Sequence, residues 1–365
     1  MVPIAWHILF KDKLRLAISV SGVALSIMLV LLLDGFLTGM SEQVTAYIDN
    51  TPADYYVGQK GVANLQGAGS VIPLDTLQKV EAVESVASAL PVFAQYAILD
   101  LHGKKVTTFL IGYEPERGGG SWQLSAGRTV ESADEIVVDR VLAQRHGLRA
   151  GDELDLLGRP FRIVGLSEGT TSWMVSMIFL RHDAATTLLR AQDTTSFILV
   201  RSGEGAVVAE RLRASLPDVN VLPRETLLRN DIAFLAGTFS TPLRMMVLIA
   251  VGIGALLVGL TIYSATVERV REYGVLKAVG MRNRSLYAIV ARQALGAAVL
   301  GLIGGLVLVW IVAAAIEYVW PQFLIAVDRG SVVQAGIGAI AIALMASLIP
   351  ARYVGNIDPA RIFRR

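Results

Sequence analysis

Four long apolar stretches, with some 200 mixed residues between the first and second, constrain this chain more than any other feature. Each is close to the roughly 20 residues that a helix needs to cross a bilayer. The first runs from Leu16 to Leu33 and on toward Leu37; the second, Met245 to Val267, carries no charge between Arg244 and Glu268. The third lies between Arg292 and Glu317, and the fourth between Arg329 and Arg352. The first is too long for a signal-peptide core and no Ala-x-Ala site follows it, so it reads as a retained anchor. Over all 365 residues, 53% are hydrophobic and only 18% charged, below the quarter or so usual in soluble domains. The expected fold is therefore an α-helical membrane protein whose four transmembrane helices carry a large mixed α/β extracytoplasmic domain between helices 1 and 2.

The short flanking segments set the orientation, because Lys and Arg collect on the cytoplasmic side. Lys11, Lys13 and Arg15 precede the first span, and Arg269, Arg271, Lys277, Arg282 and Arg284 lie between the second and third. Arg352, Arg361, Arg364 and Arg365 follow the fourth, whereas Arg329, Glu317 and Asp328 share the connector between the third and fourth. Both termini are thus expected in the cytoplasm of a multi-pass membrane protein. The boundaries are a cytoplasmic amphipathic helix over 1–15, spans over 16–40, 243–267, 291–315 and 332–351, a cytoplasmic segment over 268–290, a short outer loop over 316–331 and a tail over 352–365. Residues 41–242 lie outside and hold 18 Lys+Arg against 24 Asp+Glu, net −6. A long domain crosses whatever its charge, so the short segments decide.

Within 41–242, short β-rich runs alternate with amphipathic pieces, the pattern of an α/β fold. Leu74 to Ser88 reads as helix. Phe93 to Leu99 and Val106 to Ile111 read as strands joined by a turn at His102-Gly103. After the break at Gly118-Gly119-Gly120, strands are expected at 135–139, 153–157, 161–166, 176–180, 196–200 and 220–222, with helices at 140–146 and 206–215. The expected arrangement is an α/β lobe, 41–117 with 183–242, and an inserted β-rich lobe over 118–182. The apolar stretch 170–179, with Trp173, Met174 and Met177, fits either a buried strand or a contact for an adaptor or substrate.

Catalytic signatures are missing from the sequence. A phosphate-binding loop needs Gly-x4-Gly-Lys-Ser/Thr, but the only Gly-Lys pair, Gly103-Lys104, is followed by Lys105 and has Ile98 where the first glycine belongs. There is no cysteine, and His7, His102, His146 and His182 are scattered. The net charge of +2 leaves no nucleic-acid footprint. The span interiors offer few polar side chains, among them Ser19, Ser21, Ser26, Thr261, Ser264, Gln293 and Ser347, with Asp34 near the outer end of the first. They are rich in close-packing glycines instead, including Gly252, Gly254 and Gly259 in the second span and the Gly301-x3-Gly305 pair in the third. Such glycines serve helix packing inside one chain or a dimer interface; Gly252, Gly259, Gly301 and Gly305 are the candidates for the latter.

The segment Thr266 to Tyr287, TVERVREYGVLKAVGMRNRSLY, is the most specific run. It continues the second span as a charged helix, adds a short amphipathic piece with Val275, Leu276 and Val279 on one side and Lys277 opposite, and ends at Gly280, a helix-closing glycine. Glu268-Arg269, Glu272, Gly274-Val275-Leu276-Lys277-Ala278 and Gly280 resemble the signature of FtsX-like permeases, a group that includes the MacB, LolC/LolE and DevC types of ABC transporter (type VII). Pro350-Ala351-Arg352 with Ile357-Asp358-Pro359-Ala360 resembles the family's closing pattern, and Trp6 to Gly22 its opening. Glu135 to Gly165 is similar to a segment of the β-rich lobe in MacB-type proteins, with Asp139 in place of the usual glycine.

The resemblance implies a non-catalytic permease subunit of an ABC exporter. It would bind no cofactor itself, ATP and Mg2+ being used by cytoplasmic ABC ATPase subunits on a partner chain. It would pair with a second permease copy, as a homodimer or with a sister chain, among membrane lipids and, in some systems, with a periplasmic adaptor. The second span would act as a stalk that passes ATPase closure to the outer domain, exporting or extracting a substrate at the outer face of the inner membrane. Glu268, Arg269, Glu272, Gly274, Leu276, Lys277, Gly280 and Met281 would carry the coupling, braced by Arg352 and Asp358. The alternative is an FtsX-like transmembrane signalling scaffold that activates a periplasmic cell-wall hydrolase.

Overall fold

A computed structural model describes residues 13–101, 103–172, 175–203, 205–268 and 270–356. The expected N-terminal amphipathic helix falls mostly outside them. The chain divides into two compact units, one of Met1–Thr38, Ser240–Trp320 and Ile325–Arg365, the other of Gly39–Phe239 and Pro321–Leu324.

Among the described residues, three helices are long and apolar enough to cross a membrane: Val20–Asn50, Asn283–Val319 and Arg329–Tyr353. A fourth span is counted if the bent pair Arg224–Gly237 and Thr241–Leu257 is taken as one. Pro242 lies inside helix Arg224–Glu268. The 37 residues of Asn283–Val319 extend about 55 Å, well beyond the roughly 30 Å hydrocarbon core. The packed interior of the first unit includes Val23, Ile27 and Leu31 of the first helix, Leu286, Ile289, Val290, Ala294 and Ala298 of the third span, and Ala343 and Ala351 of the fourth. Small residues let the backbones approach. A Cβ at Gly301 would fall 2.5 Å from Val23 Cβ, and one at Gly305 2.9 Å from Ile27 Cβ.

The second unit is built on a sheet with strand order β13-β1-β12-β3-β4-β10-β6-β8-β5, to which β7 and β9 attach. These are β1 (Tyr55–Gln59), β3 (Val86–Leu101), β4 (Lys104–Tyr113), β5 (Leu124–Gly127), β6 (Glu135–Asp139), β7 (Glu153–Leu156), β8 (Arg159–Ser167), β9 (Thr171–Ser172), β10 (Val175–Arg181), β12 (Phe197–Ser202) and β13 (Val219–Pro223). Two short strands, β2 (Ile72–Pro73) and β11 (Thr194–Thr195), pair separately. The β3–β4 hairpin turns where the sequence predicts. Leu101 pairs with Lys104, Gly103 takes φ +78°, and its N–H donates to Asp100 Oδ1 at 2.8 Å. The helix expected over 74–88 is only Thr76–Glu81, because the chain turns at Ser85 (φ +73°) and enters β3 at Val86. The apolar stretch 170–179 contributes β10, whose five central residues are all buried; Trp173 and Met174 lie outside the described residues.

Strict alternation along the strands gives the sheet two apolar faces. Val92, Phe109, Val137, Phe179 and Phe197 share one cluster on one face, with Tyr47 and Ile48 of the first helix and Leu227 of helix Arg224–Glu268. The other face is divided. Tyr55, Val57, Ile198 and Val200 pack with Leu77, Val80, Val208 and Leu212, while Phe93, Leu110, Ile136, Val138, Ile178 and Leu180 pack with Leu142 and Ala184. The strands assigned to two lobes are therefore joined, through the parallel β4–β10 pairing, over a common first face.

Candidate coupling site

Helix Val270–Ala278 and the turn after it form a braced elbow. Tyr273 and Gly274 are buried, and Leu276 and Met281 pack against the same cluster as Tyr273, Leu286 and Ala351. The Tyr273 hydroxyl donates to Gln293 Oε1 at 3.4 Å, tying the elbow to the third span. The Lys277 ammonium donates to the Gly355 carbonyl at 2.6 Å, placing a cation on the C-terminal carbonyls of helix Arg329–Gly355, where the helix dipole favours it. Gly355 is a close approach: a Cβ there would lie 2.2 Å from the Tyr287 hydroxyl.

The turn is a Schellman closure. Met281 N–H donates to the Leu276 carbonyl at 3.1 Å and Gly280 N–H to the Lys277 carbonyl at 3.0 Å, with Gly280 at φ +95°. Leu276 and Met281 occupy the two positions whose side chains usually seal this motif. The opposite surface is open. Arg271, Glu272 and Ala278 are exposed, Val275 is 42% exposed and Val279 84%.

The run singled out in the sequence thus divides in two. Gly274, Leu276, Lys277, Gly280 and Met281 hold the elbow against or relative to the spans, and Glu268 and Glu272 lie on its surface. Arg352 is exposed near the end of helix Arg329–Gly355. Arg269 and Asp358 lie outside the described residues. Sequence reasoning missed Tyr273, Gln293 and Gly355, whose roles depend on residues 20 and 78 positions away. The apolar Val279, next to the conspicuous glycine, was the available signal for the open face.

The four packing glycines also separate. Gly301 and Gly305 are buried against Val23, Ala24 and Ile27 of the same chain, so their small size serves contact with the first span. Gly252 is exposed, with nothing within 4 Å of an added Cβ. Gly259 lines an apolar cavity of about 530 Å3 with Leu256, Leu260, Tyr263, Met345 and Ile349.

In the α/β unit, two buried carboxylates organise loops. Asp139 caps helix Arg140–His146, accepting from Val141 and Leu142 N–H at 3.0 and 3.2 Å, and takes further bonds from the hydroxyls of Thr170 (2.7 Å), Thr171 (3.0 Å) and Ser176 (2.9 Å). Asp231 accepts from Leu65 and Gln66 N–H at 3.1 Å. Burial pushes its carboxyl up to about 6, against the opposing pull of those two N–H groups. Glu135 shifts the other way, to about 2, chiefly through its hydrogen bonds from Arg128. Among the described residues no group of three or more His, Asp and Glu is placed to hold a metal ion.

Comparison with known proteins matches these features to a family. The model of the MacB-like periplasmic core domain fits residues 16–216, and that of the FtsX-like permease C-terminal region fits 244–359. An uncharacterized ABC transporter permease of Mycobacterium tuberculosis is 27% identical over 359 residues, covering 96% of both chains. The pyoverdine export ATP-binding/permease protein PvdT of Pseudomonas syringae pv. tomato is 21% identical over 384 residues, covering 98% of this chain and 58% of its own length. The periplasmic region of MacB from Actinobacillus actinomycetemcomitans aligns over 51% of this chain and 96% of its own, with 13% identity and a TM-score of 0.38. With the first family model alone covering more than half of its length, the chain belongs to the FtsX-like/MacB-type family of ABC transporter permeases.

Proposed function

We propose that this permease is the membrane lever of an ATP-driven exporter. An ATPase on another polypeptide grips the elbow from the cytoplasm, and its closure is passed along helix Arg224–Glu268 to the α/β unit, which acts on a substrate at the outer face of the inner membrane. The elbow carries this reading. A surface braced from behind by Tyr273, Leu276, Lys277 and Met281 transmits force, and its open side presents Val275 and Val279 flanked by Arg271 and Glu272. An apolar centre with a charged rim is how protein partners usually meet. The sequence carries no phosphate-binding loop, and the PvdT relatives join permease and ATP-binding functions, which supports an ATPase partner. Motion without passage between the spans suits helices whose interiors are nearly free of polar side chains. ATP shifts the assembly only by binding the closed arrangement more tightly than the open one.

A second permease copy is proposed to seat on the exposed face bearing Gly252 and Gly259, and a periplasmic adaptor is a further candidate partner of the outer unit. The coupling claim is tested by reconstituting the permease with its ATPase and replacing Val279 by Glu. Binding of the ATPase should weaken at least about tenfold, roughly 1.4 kcal/mol, with the permease still folded in the membrane. Unchanged binding and unchanged ATPase stimulation would remove the elbow from the coupling path.

A further inference from the structure

A cavity of about 420 Å3 opens among the first, second and fourth membrane helices, within the span of small-ligand sites. Its wall on the first helix is Val23, Ser26, Ile27, Val30, Leu31 and Asp34, residues three and four apart and so on one helical face. That stripe covers 11 residues of rise, about 16 Å, or about half the hydrocarbon thickness. The cavity is graded along this length. Its deep end is apolar, since the Ser26 hydroxyl is spent on the Gly22 carbonyl at 2.9 Å. Its other end collects Asp34, Ser331 and Gln334.

The Ser331 hydroxyl donates to Asp328. Asp34 and Gln334 receive nothing comparable: among the described residues neither side chain has a hydrogen-bond or ion-pair partner. An ionisable group in a membrane helix is costly unless something pairs with it. Small residues on the opposite wall, Ala335, Gly338 and Ala339, provide the room, and an added Cβ at Gly338 would meet nothing within 4 Å.

We propose that this cavity binds a cationic amphiphile of one-leaflet length. Its hydrocarbon chain lies along Val23 to Leu31, and its ammonium head donates to Asp34 and to the Gln334 side-chain carbonyl. Charge selects the head: an anionic or phosphate-bearing end would meet an uncompensated carboxylate. The wall selects the tail, being apolar from Val23 to Leu31. The site is separate from the elbow, and its occupancy is measured without an ATPase.

The test uses the full-length permease in lipid nanodiscs, with hexadecylamine carrying a photoactivatable diazirine at its tail and the matching hexadecanol as control. The amine should label peptides from 23–34 and 331–342, and unlabelled hexadecylamine should compete. Asp34→Asn should cut amine labelling about tenfold, the scale of one charge-assisted bond, and leave alcohol labelling unchanged. Gly338→Leu, which fills the cavity from the far wall, should abolish both and serves if the Asp34 variant fails to insert. Equal labelling by amine and alcohol, with no effect of Asp34→Asn, would mean ordinary bilayer lipid and overturn the proposal. So would labelling spread over outward residues such as Leu248 and Ile303, or disulfides formed between two copies of Gly338→Cys, which would put a second permease there.

Discussion

At the residue scale, the buried carboxylates make opposite kinds of prediction. Asp139 satisfies two N-cap N–H groups and three hydroxyls, so Asp139→Ala leaves several buried donors without a partner. It should cost about 3 kcal/mol of stability, read as a lowered thermal midpoint of the permease. The sequence marked Asp139 as a departure from the family's glycine, but Thr170, Thr171 and Ser176 are supplied by folding from more than 30 positions away. Asp231 sets a pH dependence. Its folded value, about 6, stands above the ordinary 3.8, so the native state holds a proton that the unfolded state releases. Stability from this group is therefore complete below about 4 and is lost as pH rises toward 6, by up to about 3 kcal/mol. Glu135, with its value lowered to about 2, weakens the fold only as pH falls below its ordinary 4.5, which leaves pH 4.5–6 as the window for Asp231. Across that window the thermal midpoint should drop as pH rises in the natural protein and stay flat in Asp231→Asn; a parallel drop in both would assign the effect elsewhere.

At the element scale, local chemistry was readable and distant pairing was not. The His102-Gly103 turn, helix Arg140–His146 closed by Gly147, and the Gly280 stop all follow from residues within a turn of each other. The β4–β10 pairing joins strands more than 60 residues apart and has no local signal, so the sequence alone does not show that strands of the α/β lobe and of the inserted lobe share one sheet. Likewise Gly301 and Gly305 announced close packing without saying against what, and the partner is the first span of the same chain. The elbow motif was legible as a run, but its division into bracing and outward residues needed the fold. Gly280→Val should strain the +95° turn by about 1–2 kcal/mol and loosen the elbow, lowering transport per ATP hydrolysed more than it lowers hydrolysis. Glu272→Lys, on the open side, should instead weaken ATPase binding; equal losses of binding in both variants would erase that distinction.

At the scale of the whole molecule, the proposed lever needs the α/β unit on one side of the membrane and the elbow on the other. The natural sequence has no cysteine, so a single Lys104→Cys at the tip of the β3–β4 hairpin reports its side of the membrane without background. An impermeant thiol reagent should label it from outside intact cells, and labelling only after the cytoplasm is opened would reverse the assigned orientation. The claim that matters most is that an ATPase sits on the elbow. A photocrosslinking amino acid at position 279, in tagged permease irradiated in its native membrane, tests it directly. The predicted adduct is an ATP-hydrolysing protein joined through residue 279, lost when Glu272→Lys is added. Adducts only to lipid or to proteins that do not hydrolyse ATP, with residue 279 efficiently activated, would contradict the account.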